Sequence, residues 1–149
     1  MKHTEFKLNT FDGLQLFGQS WQPEDRTRAV VCLIHGIGEH SGRYVHVADR
    51  LTKAGYTIFT FDLRGHGKSE GLRGHIPSYE ALMQDISFLL ESANKKFPQI
   101  PLFLYGHSLG GNLVLNYVLR RHPHLKGVIA TAPWPVSYTH LTLPTICSV

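Results

Sequence analysis

Three short apolar runs constrain this chain's fold more than any other feature: Ala29-Val30-Val31-Cys32-Leu33-Ile34, Thr57-Ile58-Phe59-Thr60-Phe61 and Leu102-Phe103-Leu104-Tyr105. A strand with one wet face alternates apolar and polar residues, so a continuous run predicts a strand buried on both faces. Between the runs the period becomes helical. From Tyr79 to about Lys96, Leu82, Met83, Ile86, Leu89, Leu90 and Ala93 recur at three- and four-residue spacing, with Ser78 as a candidate N-cap. Tyr44 to Ala54 reads as a helix stopped by Gly55, and Asn112 to Arg121 as a helix carrying Leu113, Leu115, Val118 and Leu119. Val128-Ile129-Ala130-Thr131 is a further strand. Strand–helix–strand alternation predicts parallel strands with crossover helices, the α/β class. Ahead of them, Phe6-Lys7-Leu8 and Leu14-Gln15-Leu16 alternate around Phe11-Asp12-Gly13, the pattern of an antiparallel hairpin.

Composition removes several classes. With 42% hydrophobic and 17% charged residues over 149 positions, the chain is too apolar for a disordered one. No apolar run approaches the roughly 18 residues of a membrane-spanning helix. The opening Met1-Lys2-His3-Thr4-Glu5-Phe6-Lys7 lacks a signal-peptide stretch, so a cytoplasmic location is expected. Cys32 and Cys147 form neither a disulfide framework nor a metal-type spacing. The net charge of +4 invites a nucleic-acid reading, but its distribution argues against one. Basic and acidic residues nearly balance up to Glu91, the last acid; beyond it stand Lys95, Lys96, Arg120, Arg121 and Lys126 alone.

The strand at Leu102 runs into Gly106-His107-Ser108-Leu109-Gly110-Gly111. This is a G-x-S-x-G pattern between an apolar strand and an apolar helix, the setting that motif requires. An abrupt strand-to-helix turn holds its serine in a strained conformation, and Gly106 and Gly110 keep neighbouring chain from clashing. The Ser108 hydroxyl then projects above the sheet over a helix N-terminus, and the Leu109 N–H can meet a developing oxyanion. Ser108 is thus the candidate nucleophile. His107 is expected to support the turn, because adjacent residues there point apart. A serine at this position weighs against a dehalogenase, which uses a carboxylate.

A second segment, Leu33-Ile34-His35-Gly36-Ile37-Gly38-Glu39-His40-Ser41-Gly42-Arg43-Tyr44, follows a buried strand. Its glycines allow close backbone approach, and the Ile37 N–H is the expected second oxyanion donor. A dinucleotide-binding reading of Gly36-x-Gly38 with Asp62 fails on register. The third glycine falls on Ser41, Gly42 is misplaced, and the serine turn stays unexplained. The loop Asp62-Leu63-Arg64-Gly65-His66-Gly67-Lys68-Ser69-Glu70-Gly71 suggests a structural ion pair between Asp62 and Arg64. Neither His35, His40 and His46 nor His122 and His124 form a recognised ligand set with a carboxylate, so no metal and no cofactor are expected.

Taken together, His35 to Tyr44, Asp62 to Gly71 and Gly106 to Gly111 resemble the monoacylglycerol lipase and lysophospholipase family of α/β-hydrolases, in both order and spacing. The resemblance spans about residues 4–134. It implies an α/β-hydrolase fold of which this chain holds the N-terminal half, a cap over the site, and hydrolysis of a fatty-acyl ester of glycerol. By position it makes Ser108 the nucleophile and gives Ile37 and Leu109 the oxyanion N–H groups, with His35, Gly36, Gly106, His107 and Gly110 in support. The implied partner is a small-molecule lipid ester, with no nucleic acid and with transient membrane-surface contact open to the full-length parent. Thioesterase, acyltransferase or perhydrolase chemistry on the same fold, and a non-catalytic binding role, stay open as alternatives.

The chain departs from that family after the serine. A serine nucleophile needs a histidine base oriented by a carboxylate, in the chain order Ser, Asp or Glu, His. No Asp or Glu follows Ser108, and His122, His124 and His140 have no acid to orient them. The string Val136-Ser137-Tyr138-Thr139-His140-Leu141-Thr142-Leu143-Pro144-Thr145 resembles a translated sequencing adapter. The expectation is therefore an N-terminal hydrolase portion over 1–134, a non-native tail over 135–149, an inactive chain, and an unprotected sheet edge that lowers solubility.

Overall fold

The structure is a computed structural model and describes residues 1–135. A mixed sheet of six strands carries helices on both faces. Strands β1 (Lys2–Asn9) and β2 (Gln15–Gln22) form the antiparallel hairpin, in a register that pairs Leu8 with Leu16. The loop between them runs from Thr10 to Leu14, longer than an Asp-Gly turn alone, and Gly13 takes the positive φ of +85° that lets it close. Strands β3 (Ala29–Ile34), β4 (Tyr56–Phe61), β5 (Leu102–His107) and β6 (Gly127–Thr131) are mutually parallel, and the spatial order is β1-β2-β4-β3-β5-β6. Strand β2 runs antiparallel to β4, which places the hairpin loop at the carboxyl end of the parallel strands.

The apolar runs are continuous because both faces of the sheet are covered. Val30, Cys32 and Ile34 point to one side with Phe59 and Phe61, where α2 (Tyr79–Lys96) and α3 (Leu109–Arg121) add Leu82, Ile86, Leu89, Leu113 and Val114. Val31 and Leu33 point to the other side with Ile58, against Ala48 of α1 (Val45–Lys53) and Tyr44 of the 3-10 turn before it, Ser41–Tyr44. Helix α2 has the bounds its periodicity predicts, and the Ser78 hydroxyl accepts from Ala81 N–H at 3.1 Å as N-cap. Helix α3 starts three residues before the predicted Asn112, because Gly110 and Gly111 are its first turn and not a link before it. Cys32 is fully buried and its thiol is pushed up to about 12 by burial. Cys147, His140 and the tail from Val136 lie outside the described residues.

Candidate active site

Strand β5 delivers Ser108 to the carboxyl end of the sheet and α3 begins at the next residue. Ser108 takes φ 56° and ψ −117°, a conformation that a residue with a Cβ seldom adopts. Main-chain bonds hold it there. Its N–H donates to Thr131 O at 3.0 Å, and its carbonyl accepts from Asn112 N–H at 3.1 Å and Trp134 N–H at 2.9 Å. The Ser108 hydroxyl does not cap α3, which leaves it free for other partners. The glycines serve close packing. A Cβ on Gly106 would strike the carbonyl of Gly110, and one on Gly110 would strike the carbonyls of Ile34 and His35. The turn is therefore wedged between β3 and the first turn of α3. Beside it, the His107 ring lies 2.9 Å through Nδ1 from Thr131 Oγ1, which fastens the turn to β6.

The loop after β3 lies directly against this turn. A Cβ on Gly36 would sit 3.2 Å from Ser108 Cβ and 3.3 Å from His107 O, so only glycine brings the main chain this close without displacement. Gly36 N–H is already used: it donates to Glu39 Oε1 at 2.6 Å. The next amide, that of Ile37, and the amide of Leu109 take part in no main-chain or side-chain bond among the described residues outside the helix itself. Ile37 is 47% exposed at the mouth of the site, whereas Leu109 is buried at the start of α3. Among the described residues these two amides, one following Gly36 and one following Ser108, are left without a partner.

His35 anchors the loop. Leu63 N–H donates to its Nε2 at 2.9 Å, so the proton sits on Nδ1 and donates to Gly36 O at 2.7 Å. Burial pushes this imidazole down to about 4, and the ring is neutral in the fold. Glu39 accepts from the Tyr44 hydroxyl at 2.5 Å as well as from Gly36. Burial alone would raise the Glu39 carboxyl; the Tyr44 and Gly36 donors, together with the neighbouring His35 and His107 rings, hold the group below the usual carboxylate range.

Asp62 and Arg64 do not form the expected ion pair. Asp62 Oδ1 accepts from Ser41 N–H at 2.7 Å and Ser41 Oγ at 2.6 Å, while Oδ2 accepts from Lys68 N–H at 2.9 Å, so its carboxylate ties the Gly36 loop to the Asp62 loop. Arg64 instead reaches Asp85 of α2 at 2.7 Å and Asp12 of the hairpin loop at 2.8 Å. That guanidinium holds the Asp12 carboxyl down to about 2. Motif reading assigns no bracing contact to Glu39, Ser41 or Asp85. Asp85 carried a signal nonetheless, a charge among Leu82, Ile86 and Leu89 on the apolar stripe of a helix, which demands a buried partner. Among the described residues no group of three or more His, Cys, Asp or Glu is arranged to hold a metal ion.

The arrangement is that of a strained serine turn packed against a glycine loop at the carboxyl end of an α/β sheet. The family described as Serine aminopeptidase, S33 (Hydrolase_4) matches residues 25–144. The chain belongs to this family. It is similar to the monoacylglycerol lipase of Mycolicibacterium smegmatis, 36% identical over 81% of this chain and 43% of that one. It is likewise similar to human monoglyceride lipase, 35% identical over 82% of this chain and 40% of that one. A crystal structure of the Paleococcus ferrophilus monoacylglycerol lipase superposes with TM-score 0.69 at 40% identity, over 79% of this chain and 43% of that one. The chain thus spans less than half the length of these α/β-hydrolase relatives.

Proposed function

We propose that residues 1–134 are the nucleophile-bearing part of a serine ester hydrolase that cleaves a fatty-acyl ester of glycerol. The observation that carries this reading is the junction of Gly36 with Ser108: a serine at φ 56° against a glycine, with the Ile37 and Leu109 amides free beside it. Ser108 Oγ attacks the ester carbonyl as a base takes its proton, and the Ile37 and Leu109 N–H groups hold the tetrahedral oxyanion. The glycerol oxygen leaves with that proton, the acyl group stays on Ser108, and water then releases the fatty acid. His35, Gly36, Gly106, His107 and Gly110 shape the site. The substrate class rests on the relatives named monoacylglycerol or monoglyceride lipase, and on a soluble variant of the Saccharomyces cerevisiae monoglyceride lipase solved in complex with a substrate analog, 31% identical at TM-score 0.73.

The base and its carboxylate come from chain corresponding to the length of the relatives that this one does not span, because no Asp or Glu follows Ser108 here. By itself the 149-residue chain is expected to be inactive. The test has two arms. The genomic reading frame continued past Trp134 should encode an Asp and then a His in strand-end loops, and its product should release fatty acid from a monoacylglycerol, with Ser108→Ala abolishing turnover. Release of glycerol at an unchanged rate by Ser108→Ala, or turnover of a p-nitrophenyl ester by the 149-residue chain, would refute the reading.

A further inference from the structure

Helix α3 carries a polar side chain where its neighbours are apolar. Asn112 is 1% exposed, beside Leu113 and Val114 in the core. A buried carboxamide costs stability unless its donor and acceptor are met, and a leucine or alanine there would suit the helix better. Both ends of this amide are met. The Tyr79 hydroxyl donates to Asn112 Oδ1 at 2.7 Å, which fixes the orientation of the group. Asn112 Nδ2 then donates to the carbonyl of Trp134 at 3.0 Å. Asn116, one turn further on, donates through Nδ2 to Asn112 alone, to its carbonyl at 3.0 Å and to Oδ1 at 3.4 Å.

Trp134 belongs to a link that closes over the nucleophile turn. The chain leaves β6 at Thr131 and bends at Ala132, whose φ of +43° lies in the left-handed region. It then passes the first turn of α3, where a Cβ on Gly111 would lie 3.1 Å from Pro133 Cα. The link holds Ser108 at both of its main-chain polar groups. Ser108 N–H donates to Thr131 O at 3.0 Å, and Trp134 N–H donates to Ser108 O at 2.9 Å. The second bond bears on the Leu109 amide. The Ser108 carbonyl and the Leu109 N–H share one planar peptide and point in opposite directions, so whatever fixes the carbonyl fixes the N–H. A donor on the carbonyl oxygen also polarises the peptide and strengthens its N–H. The Asn112 main-chain N–H meets the same oxygen at 3.1 Å, but that is the bond any helix makes. The bond from Trp134 is the additional one, and the Asn112 side chain holds the carbonyl of the residue that makes it.

We propose that Asn112 is a positioning residue: by pinning Trp134 it fixes the Ser108–Leu109 peptide, and with it the direction of the Leu109 N–H toward the ester oxygen. The inference rests on the reading above in which that N–H receives the oxyanion. The test uses the product of the continued reading frame with a monoacylglycerol. Asn112→Asp keeps the acceptor for Tyr79 and sets a carboxylate oxygen against Trp134 O; kcat should fall roughly thirtyfold with KM within about twofold. Asn112→Ala, uncharged and favourable in a helix, is the second variant and should lower kcat roughly tenfold, again with KM unchanged. Asn116→Ala removes an equally buried amide from the same helix without touching Trp134. It should lower urea stability comparably and leave kcat within about twofold. Hydrogen exchange reads the geometry without activity: the Trp134 amide should exchange roughly tenfold faster in both Asn112 variants, with the β5 amides unchanged. Unchanged kcat in the Asn112 variants, an effect confined to KM, an equal loss in Asn116→Ala, or an unchanged Trp134 amide would overturn the proposal. Phosphonylation of the unsubstituted Ser108 is scored separately. Its absence would sink the ester-hydrolase reading, while exchange at Trp134 still decides whether Asn112 holds the link.

Discussion

The Ser108 turn is held by main chain, whereas the Gly36–Tyr44 loop beside it is held by side chains. At the turn, Gly106 and Gly110 let backbone pack on backbone, and the bonds to Ser108 come from amides and carbonyls of Thr131, Asn112 and Trp134. In the loop the work falls to three side chains: His35 bridging Gly36 O and Leu63 N–H, Glu39 gathering Gly36 and Tyr44, and Asp62 gathering Ser41 and Lys68. The difference teaches where each half can be disturbed. A backbone-held turn fails by steric collision and ignores pH; a side-chain-held loop is sensitive to protonation and to the loss of single acceptors.

The largest effect should come from Gly110→Ala. Within a helix that exchange ordinarily stabilises by about 1 kcal/mol. Here the added methyl meets the carbonyls of Ile34 and His35, and we expect a loss of about 4 kcal/mol in urea unfolding. A neutral or stabilising result would break the claim that backbone packing holds the turn. Next is the pH dependence carried by His35. Its folded-state value, about 4, lies below the ordinary 6.5, so between those values the unfolded chain binds the extra proton. Stability is present above pH 6.5 and falls as pH drops toward 4, by on the order of 3 kcal/mol. Urea unfolding across that window should show the slope, and His35→Gln should flatten it.

Smaller again is Asp62→Asn, which keeps one acceptor and turns an amide toward either Ser41 or Lys68. It should cost about 2 kcal/mol. An equal cost from Asp62→Asn and Gly110→Ala would erase the contrast between the two halves. The smallest effect has the opposite sign. Ser108→Gly relieves a strained φ of 56° and sacrifices no helix cap, so the chain should gain about 1 kcal/mol while losing its nucleophile.

The same contrast explains what could be read in advance. Features set by local chain geometry were legible: the apolar strands, α2 with its Ser78 cap, and the glycine-flanked serine. The start of α3 lies earlier than the pattern predicts because Gly110 and Gly111 look like a turn, and only the approach of Ile34 O shows why a helix tolerates glycine there. The long-range polar contacts were not legible. Arg64 stands two residues from Asp62, yet it pairs with Asp12 and Asp85, 52 and 21 positions away, because tertiary packing brings those carboxylates around the guanidinium. Motif order located the candidate site; the residues that brace it depend on which loops meet at the carboxyl end of the sheet.

The most direct test of the account is mass spectrometry of the continued reading frame after treatment with a fluorophosphonate, before and after incubation with a monoacylglycerol. The account predicts one covalent adduct, mapped to Ser108, and its absence in Ser108→Ala. An adduct on another residue, or none in a protein that still hydrolyses monoacylglycerol, would contradict it.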